Sequence, residues 1–201
     1  PGLLGGTQRV VEVAMRVRRV GQRQRELREG VDLAALSHRF GLSTEAMIDA
    51  ANQLYGEYRW GRYDMIVLPP SFPMGGMENP LLTFASPTII VGDKSQVYVA
   101  THEMAHSWTG NEITCRNWEN FWLNEGFTVF VERHVSGEIH GEDFSKVAAL
   151  LGNTSMYQDM VNFGLNNTYS SLHPVLRGDN PDNSFSEVCY EKGFQLLYYM
   201  E

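Results

Sequence analysis

The sequence predicts an α+β fold, because strand-like and helix-like patterns both occur and fall in different parts of the chain. Apolar and charged residues alternate from Val11 to Arg18, which is the period of a strand with a charged outer face. A short apolar run at 63–69 ends in two prolines, as strands often do. Apolar residues in 44–55 have helical spacing instead, and Ser43 is a suitable cap for that helix. With 201 residues the chain fits one domain, or most of one.

The other elements follow the same rules. Residues 31–40 have helical spacing that closes at Gly41, and 88–91 is expected to be a further strand. The segment 166–186 is rich in Asn, Ser, Pro and Gly, so it is expected to be loop. The remaining expected helices are 96–110, one within 118–136, one over 141–163, and a last helix opened by Tyr190.

Composition is typical of a soluble globular protein, with 43% hydrophobic and 20% charged residues. A formal net charge of −8 argues against nucleic acid and anionic membrane as partners and favours peptides or small molecules. Seven arginines precede Gly30; strand alternation accounts for them, and a basic arm for a polyanion is the alternative. Cys115 and Cys189 do not make a disulfide framework, so we expect a reduced, cytoplasmic compartment. There is no uncharged run of membrane-spanning length and no signal-peptide core.

The stretch Ala100 to Gly110 carries the strongest chemical signal in the chain. His102 and His106 stand four residues apart, which places them on one helix face, one turn above the other. Glu103 is rotated away from that line, so it is poorly placed to bind a metal but well placed to take a proton from water beside it. This is the HExxH pattern, with two zinc-binding histidines and a general base. The same pattern also arises by chance on exposed helices.

Glu125 strengthens the metal interpretation. It belongs to an expected second helix, and 18 residues separate it from His106, a gap that allows the chain to turn back and present a carboxylate to the same ion. Two histidines and one glutamate leave the fourth tetrahedral position open, as in catalytic zinc sites. We therefore expect one Zn²⁺ per chain.

The segment from Pro73 to Pro80 contains two glycines followed at once by a carboxylate. Gly75 and Gly76 allow a backbone to run close to a ligand, and Glu78 would then meet a positive charge on it. The alternative is an ordinary glycine turn with a solvated glutamate.

One further acidic residue and four further histidines are possible ligands or supports of a ligand. Glu132 lies seven residues beyond Glu125 on the same helix face; it could brace a ligand, but we expect a surface salt bridge. The other histidines have no partner at ligand spacing and are expected to be surface or hydrogen-bonded residues; they are His38, His134, His140 and His173.

Four separated motifs together resemble the M1 family of zinc aminopeptidases, and most closely its leukotriene A4 hydrolase and aminopeptidase B branch. The motifs are GlyGlyMetGluAsn from Gly75, HisGluMetAlaHisSerTrpThrGlyAsn from His102, TrpLeuAsnGluGly from Trp122, and TyrGluLysGly from Tyr190. The resemblance runs from about Val31 to the end of the chain. It implies a thermolysin-like catalytic domain, in which helices surround a small sheet.

The resemblance also implies roles for individual residues. His102, His106 and Glu125 would bind zinc, Glu103 would be the general base, and Tyr190 would donate a hydrogen bond to the oxyanion. The substrate would be a peptide with a free N-terminus, and the residues that would contact it are Gly75, Gly76, Met77, Glu78 and Asp182. Of these, Glu78 would hold the α-amino group and Asp182 would affect specificity for basic N-terminal residues. The oligomeric state is left open.

Departures from the branch leave three functional hypotheses. Phe185 stands where the leukotriene enzymes have a tyrosine near the lipid, and Met74 replaces an aromatic residue, so the first hypothesis is a metallo-aminopeptidase. The second is an epoxide hydrolase acting on a fatty-acid epoxide at the same site. The third is an impaired product that keeps the fold as a binding scaffold. Family members carry an amino-terminal β domain and a carboxy-terminal helical domain, so we expect residues 1–201 to be one catalytic domain truncated at both ends.

Overall fold

The computed structural model describes residues 13–17, 44–91 and 95–201, of which 13–17 are described by their backbone. The expected helix at 31–40 and the Ser43 cap lie outside the described residues. Within them, four strands form one mixed sheet in the order β1-β2-β4-β3. β2 pairs antiparallel with β1 and parallel with β4, and β4 pairs antiparallel with β3. The strands are β1 (Val13–Val17), β2 (Tyr63–Val67), β3 (Gly76–Met77) and β4 (Leu82–Ala85).

The strand expected at 88–91 is wrong. Residues Pro87–Ile89 form a short 3-10 helix, and the sheet uses β4, just before it. Ser86 accepts a hydrogen bond from the backbone N–H of Thr88 at 3.2 Å, and Pro87 occupies the first helical turn, where its missing N–H costs nothing. Local capping therefore outweighs the strand preference of the β-branched residues that follow.

Five α-helices pack around this sheet in the described part of the chain. The predicted helices at 44–55 and 141–163 agree with the structure to within a residue. The predicted metal-binding helix ends earlier than expected, at Ala105, and the helix predicted within 118–136 begins at 122 and runs on to His140. The helices are α1 (Thr44–Tyr55), α2 (Val97–Ala105), α3 (Trp122–His140), α4 (Glu142–Phe163) and α5 (Gly193–Met200).

The hydrophobic core lies between the sheet and helices α1, α2 and α3. Its fully buried members include Ala51, Ala85, Met104, Ala105 and Val135. Val129 of α3 is buried, whereas four aromatic residues in or next to this helix are only partly buried; these are Phe121, Trp122, Phe127 and Phe130. The core therefore fixes α2 against α3, and these two helices carry the candidate site.

Helix α3 also contacts the start of α5, at a point where both helices have a glycine and therefore no side chain. A Cβ added to Gly126 would lie 2.6 Å from the Cα of Gly193, and one added to Gly193 would lie 2.7 Å from the Cα of Gly126. The two backbones therefore touch, which holds the segment before α5 close to the candidate site. Among the described residues, the helices are all too short or too polar to cross a bilayer.

Candidate metal centre

The two histidines of the HExxH pattern lie at the carboxyl end of α2. The regular helix ends at Ala105, but His106 keeps helical dihedral angles, and its backbone N–H donates to the carbonyl of His102 at 3.1 Å. His106 therefore stands one turn beyond His102, as its spacing predicted. The ring centroids of the two imidazoles are 4.7 Å apart.

Glu125, in the first turn of α3, completes a triangle of ligand atoms. The Nε2 atoms of His102 and His106 are 3.1 Å apart, and they lie 3.3 Å and 3.2 Å from Oε2 of Glu125. Zinc binds such atoms at about 2.0–2.1 Å in a tetrahedron, which separates neighbouring ligand atoms by roughly 3.3–3.4 Å. The triangle therefore fits a tetrahedral zinc ion with its fourth position open.

Glu132 supports His102 through a hydrogen bond to Nδ1, the ring nitrogen that faces away from Glu125. Its Oε2 lies 2.9 Å from Nδ1 of His102, and the residue is only 8% exposed. The expected surface salt bridge is therefore wrong, because two turns of α3 carry Glu132 inward along the face that presents Glu125. Since a carboxylate only accepts, Nδ1 donates, which leaves Nε2 of the neutral imidazole free for a metal.

A second brace, which sequence reasoning missed, holds His106. Its Nδ1 lies 2.8 Å from the backbone carbonyl of Thr109 and 3.0 Å from the Thr128 hydroxyl, which itself donates to that carbonyl at 2.7 Å. Gly110 follows with φ at +124°, and a Cβ there would lie 2.6 Å from Nδ1. Gly110 lies close to the motif in the sequence, so its role could have been predicted. Thr128 comes from the next helix, so the sequence gives no sign of its contact with His106.

The three candidate ligand side chains shift one another's pKa values. Burial lowers the pKa of His102, but hydrogen bonds to Glu125 and Glu132 outweigh it and raise the pKa well above its ordinary value. Burial likewise opposes protonated His106, yet Glu125 raises its pKa. Burial would raise the pKa of Glu125, but the two histidines lower it to about 2. A metal must therefore displace protons that the carboxylates help to retain.

The Glu103 carboxyl is buried beside the ligand triangle, with an oxygen within 4.8 Å of a ring nitrogen of His106. The residue is 6% exposed, and its Oε2 is buried without a hydrogen-bond partner among the described residues. Burial raises the pKa of this carboxyl to about 7. A Cβ on Gly76 would lie only 2.2 Å from its Oε1, so the bare backbone of β3 makes the space that the carboxylate occupies.

The glycine segment lies directly against α2. Glu78, Glu103 and His106 each offer a ligand atom within 4.8 Å of the other two. Asn111, which sequence reasoning did not single out, donates from Nδ2 to the backbone carbonyl of Glu78 at 2.7 Å and so ties this segment to the loop after α2. Gly75 is also held, since its carbonyl accepts from the Ser86 N–H at 2.9 Å. Met77, next to Gly76 in β3, is 37% exposed.

Tyr190 reaches the site from a different part of the chain. It lies in a π-helical turn, Val188–Lys192, that leads directly into α5, and its ring centroid is 5.9 Å from that of His102. Burial raises the pKa of its phenol far above the ordinary value, so the hydroxyl keeps its proton at neutral pH. Phe185 packs against it with ring centroids 5.8 Å apart. Asp182 is exposed on the short 3-10 helix Pro181–Ser184 that precedes this turn.

The remaining histidines that the structure describes have contacts elsewhere. Nδ1 of His134 accepts or donates a hydrogen bond with the Tyr55 hydroxyl, Nδ1 of His173 bonds the carbonyl of Glu119, and the ring of His140 packs on a phenylalanine. These contacts agree with the expectation that they are surface or hydrogen-bonded residues. His38 lies outside the described residues.

Fold and site together define the class of this protein: a helix-rich α+β protein with an HExxH helix and a carboxylate supplied by the next helix. The chain belongs to peptidase family M1, since residues 39–201 match the model of the peptidase family M1 domain. The resemblance seen in its four motifs is thereby confirmed.

Curated relatives agree with this assignment. Leukotriene A-4 hydrolase of Xenopus laevis is 51% identical over 158 residues, which cover 79% of this chain and 26% of that protein. Leucine aminopeptidase 2 of Aspergillus clavatus is 46% identical over 159 residues, with the same two coverages. This chain thus spans about a quarter of the length of the curated relatives that it matches.

Solved structures agree on the fold. Native leukotriene A4 hydrolase of Saccharomyces cerevisiae has a TM-score of 0.77 at 42% identity, covering 84% of this chain and 27% of that one. A yeast leukotriene A4 hydrolase bound to bestatin has a TM-score of 0.75 at 42% identity, covering 79% of this chain and 26% of that one. The expected fold, a small sheet with helices around it, is confirmed.

Proposed function

We propose that this chain is the catalytic domain of a zinc-dependent aminopeptidase, which removes the N-terminal residue of peptides. The observation that carries the proposal is the meeting of Glu78, Glu103 and His106, whose ligand atoms lie within 4.8 Å of one another beside the ligand triangle. An anchor for an ammonium group, a base and a metal ligand thus share one small space. Membership of family M1 and relatives named leucine aminopeptidase support the same proposal.

In this proposal His102, His106 and Glu125 hold one zinc ion through Nε2, Nε2 and a carboxylate oxygen. Their separations of 3.1–3.3 Å fit that ion, and two braced imidazoles with one carboxylate are a donor set that zinc accepts. When bound, zinc would supply Lewis-acid polarisation of the scissile carbonyl and would acidify water.

Glu103 is the general base. Its carboxyl is buried next to the ligand triangle, and one of its oxygens has no hydrogen-bond partner among the described residues, so it can accept a proton from water and return it. The Glu103 carboxylate first takes a proton from the attacking water and later delivers it to the leaving amine. Gly76 leaves room for the carboxylate in this position, because any side chain there would overlap it.

Glu78 and the glycine segment bind the peptide. Within the described sheet β3 is the edge strand, so an extended peptide can lie along Gly75, Gly76 and Met77 and pair with their backbone. The Glu78 carboxylate then holds the free α-amino group close to the reacting centre. This anchor leaves room for a single residue before the scissile bond, which makes the enzyme an exopeptidase.

Tyr190 and Asp182 complete the site. The Tyr190 phenol stays protonated and packs beside His102, so it donates a hydrogen bond to the oxyanion that develops on the scissile carbonyl. Asp182 is exposed on the approach to that turn, where it would favour basic N-terminal residues. A net charge of −8 disfavours nucleic acid and anionic membrane as partners, and a cytoplasmic location fits two unpaired thiols.

The test uses the purified 201-residue chain, its zinc content by atomic absorption, and aminoacyl-coumarin substrates with arginyl and alanyl groups. We expect near-stoichiometric zinc in both the parent and Glu103→Gln, with turnover in the parent alone. The variant keeps the size of the side chain but removes the base, so equal turnover in the two proteins would exclude the role of Glu103.

A second arm tests the amino-group anchor. Acetylation of the substrate's N-terminus should abolish turnover, and Glu78→Gln should raise KM for the free substrate. An acetylated peptide that is cut as fast as the free one would exclude the anchor. A fatty-acid epoxide serves as the competing substrate, and its hydrolysis without any peptide hydrolysis would favour the lipid reaction over the proposed one.

A further inference from the structure

A buried ion pair lies behind the candidate site. Nη1 and Nη2 of Arg133 donate to Oε2 and Oε1 of Glu191 at 2.9 Å and 2.6 Å, which is the two-pronged geometry that guanidinium and carboxylate groups favour. Arg133 is 4% exposed and Glu191 is 5% exposed. Neither residue belongs to the metal-binding set or to the substrate track.

Four elements meet at this pair. Arg133 is on α3, Glu191 is in the π-helical turn, and Arg133 also donates to the carbonyl of Ala148 on α4 at 3.2 Å. The guanidinium lies 4.1 Å above the ring of Phe194 on α5. Gly152 on α4 leaves the space for the carboxylate, since a Cβ there would lie 2.2 Å from both Glu191 oxygens. The surroundings therefore define a single position for the Glu191 side chain.

Burying such a pair has a large desolvation cost, and apolar residues of similar volume often give equal or greater stability. What apolar residues do not supply is direction, because two parallel hydrogen bonds fix both the distance and the angle of the partner. The partner here sits in a π-helical turn, a backbone form that is rare and frequently found at functional sites. The pair thus specifies the geometry of an irregular turn.

The sequence neighbours of the two residues show what that geometry controls. Glu191 follows Tyr190 directly, and Arg133 follows Glu132, which braces His102. Arg133 also shares α3 with the ligand Glu125. A continuous series of contacts therefore links the ligand triangle, through α3 and the ion pair, to the turn that carries the phenol.

We propose that Arg133 and Glu191 are positioning residues, whose buried ion pair fixes the Tyr190 phenol against the ligand triangle so that it meets the oxyanion. This inference rests on the proposed function. It predicts that loss of the pair acts through Tyr190 and through no other part of the site.

The kinetic test is a cycle with four proteins: parent, Tyr190→Phe, the paired variant Arg133→Met/Glu191→Met, and the three changes combined. The paired variant removes both charges together, because loss of one alone would leave the other buried and unpaired. We expect it to lower kcat roughly tenfold with KM unchanged, since the phenol acts on the transition state. In the Tyr190→Phe background the same two changes should cause no further loss. An equal loss in both backgrounds would overturn the inference.

A second readout needs no turnover. With fluorotyrosine incorporated throughout, the Tyr190 resonance is assigned by its absence in Tyr190→Phe. The paired variant should shift and broaden this resonance, whereas removal of the exposed Glu142–Lys146 pair on α4, by Glu142→Gln/Lys146→Gln, should leave it unchanged. A Tyr190 resonance identical in parent and paired variant would overturn the inference. Absence of turnover in the zinc-loaded parent would instead count against the proposed function, and the fluorine spectra would still decide the positioning role.

Discussion

Replacement of Gly76 by alanine is the sharpest test of how the sheet and the base fit together. A Cβ at this position would lie 2.2 Å from Oε1 of Glu103, 2.4 Å from Cδ and 2.6 Å from Cγ. Ordinary contact begins at 3.4 Å, which is 1.2 Å further than the closest of these distances. Gly76→Ala must therefore displace the Glu103 carboxylate or the strand by about an ångström.

The expected cost follows from that displacement. Misplacement of a reacting group by about 1 Å can reduce the rate roughly 100-fold, which corresponds to about 2.7 kcal/mol of activation free energy. The added methyl group contacts Glu103 and not the ligand triangle, so the zinc content should stay the same. Gly76→Ala should therefore bind zinc like the parent and turn over aminoacyl-coumarin substrates about 100 times more slowly.

Gly137→Ala is the matched control, because it adds the same methyl group on α3, where the nearest atom, Cβ of Ser145, is 3.6 Å away. Its kcat and zinc content should equal those of the parent. Turnover of Gly76→Ala within threefold of the parent would refute the claim that the bare strand holds the base in place. Loss of zinc from that variant would show that the clash reaches the ligands instead.

Three other predictions concern the metal centre and its support. Glu132→Gln should weaken zinc binding about tenfold in competition with a chelator, because it weakens the brace on His102; unchanged affinity would contradict this role. Gly126→Ala and Gly193→Ala should each lower the free energy of unfolding by about 1–3 kcal/mol in urea titrations, since either methyl group would clash with the backbone of the facing glycine. A free energy of unfolding equal to that of the parent would show that α3 and α5 can move apart without cost. Zinc binding should tighten as pH rises through the raised pKa values of His102 and His106, because the metal displaces their protons into the buffer. Calorimetry in buffers of different ionisation enthalpy measures this proton release. A binding heat that does not depend on the buffer would contradict the prediction.

The sequence predicts the relative placement of two residues well when both lie on one helix at a spacing of one or two turns. The four-residue spacing of His102 and His106 predicts one turn, and that turn is present even though the regular helix ends at Ala105. The seven-residue spacing of Glu125 and Glu132 predicts a shared face, yet the sequence does not reveal that this face is buried, so the expectation of a surface salt bridge is wrong.

Sequence reasoning failed where the contact joins distant parts of the chain. The support of His106 by Thr128 and the ion pair of Arg133 with Glu191 depend on how α3 packs, and no spacing rule encodes such packing. The expected strand at 88–91 failed for a local reason, because the Ser86 cap and Pro87 favoured a 3-10 turn over β-branched preference. Periodicity describes single elements, whereas these features belong to pairs of elements or to their ends.

Helix α3 alone supplies four residues that support the candidate site. They are Glu125, a candidate ligand; Thr128, which contacts His106; Glu132, which contacts His102; and Arg133, which pairs with Glu191 of the π-helical turn. One extra residue between the first and the last of these would rotate everything beyond it by about 100°. The connecting loops can change length over evolutionary time, but the span 125–133 cannot gain or lose a residue without dismantling several contacts at once. Its length is therefore as constrained as the identities of the residues it presents.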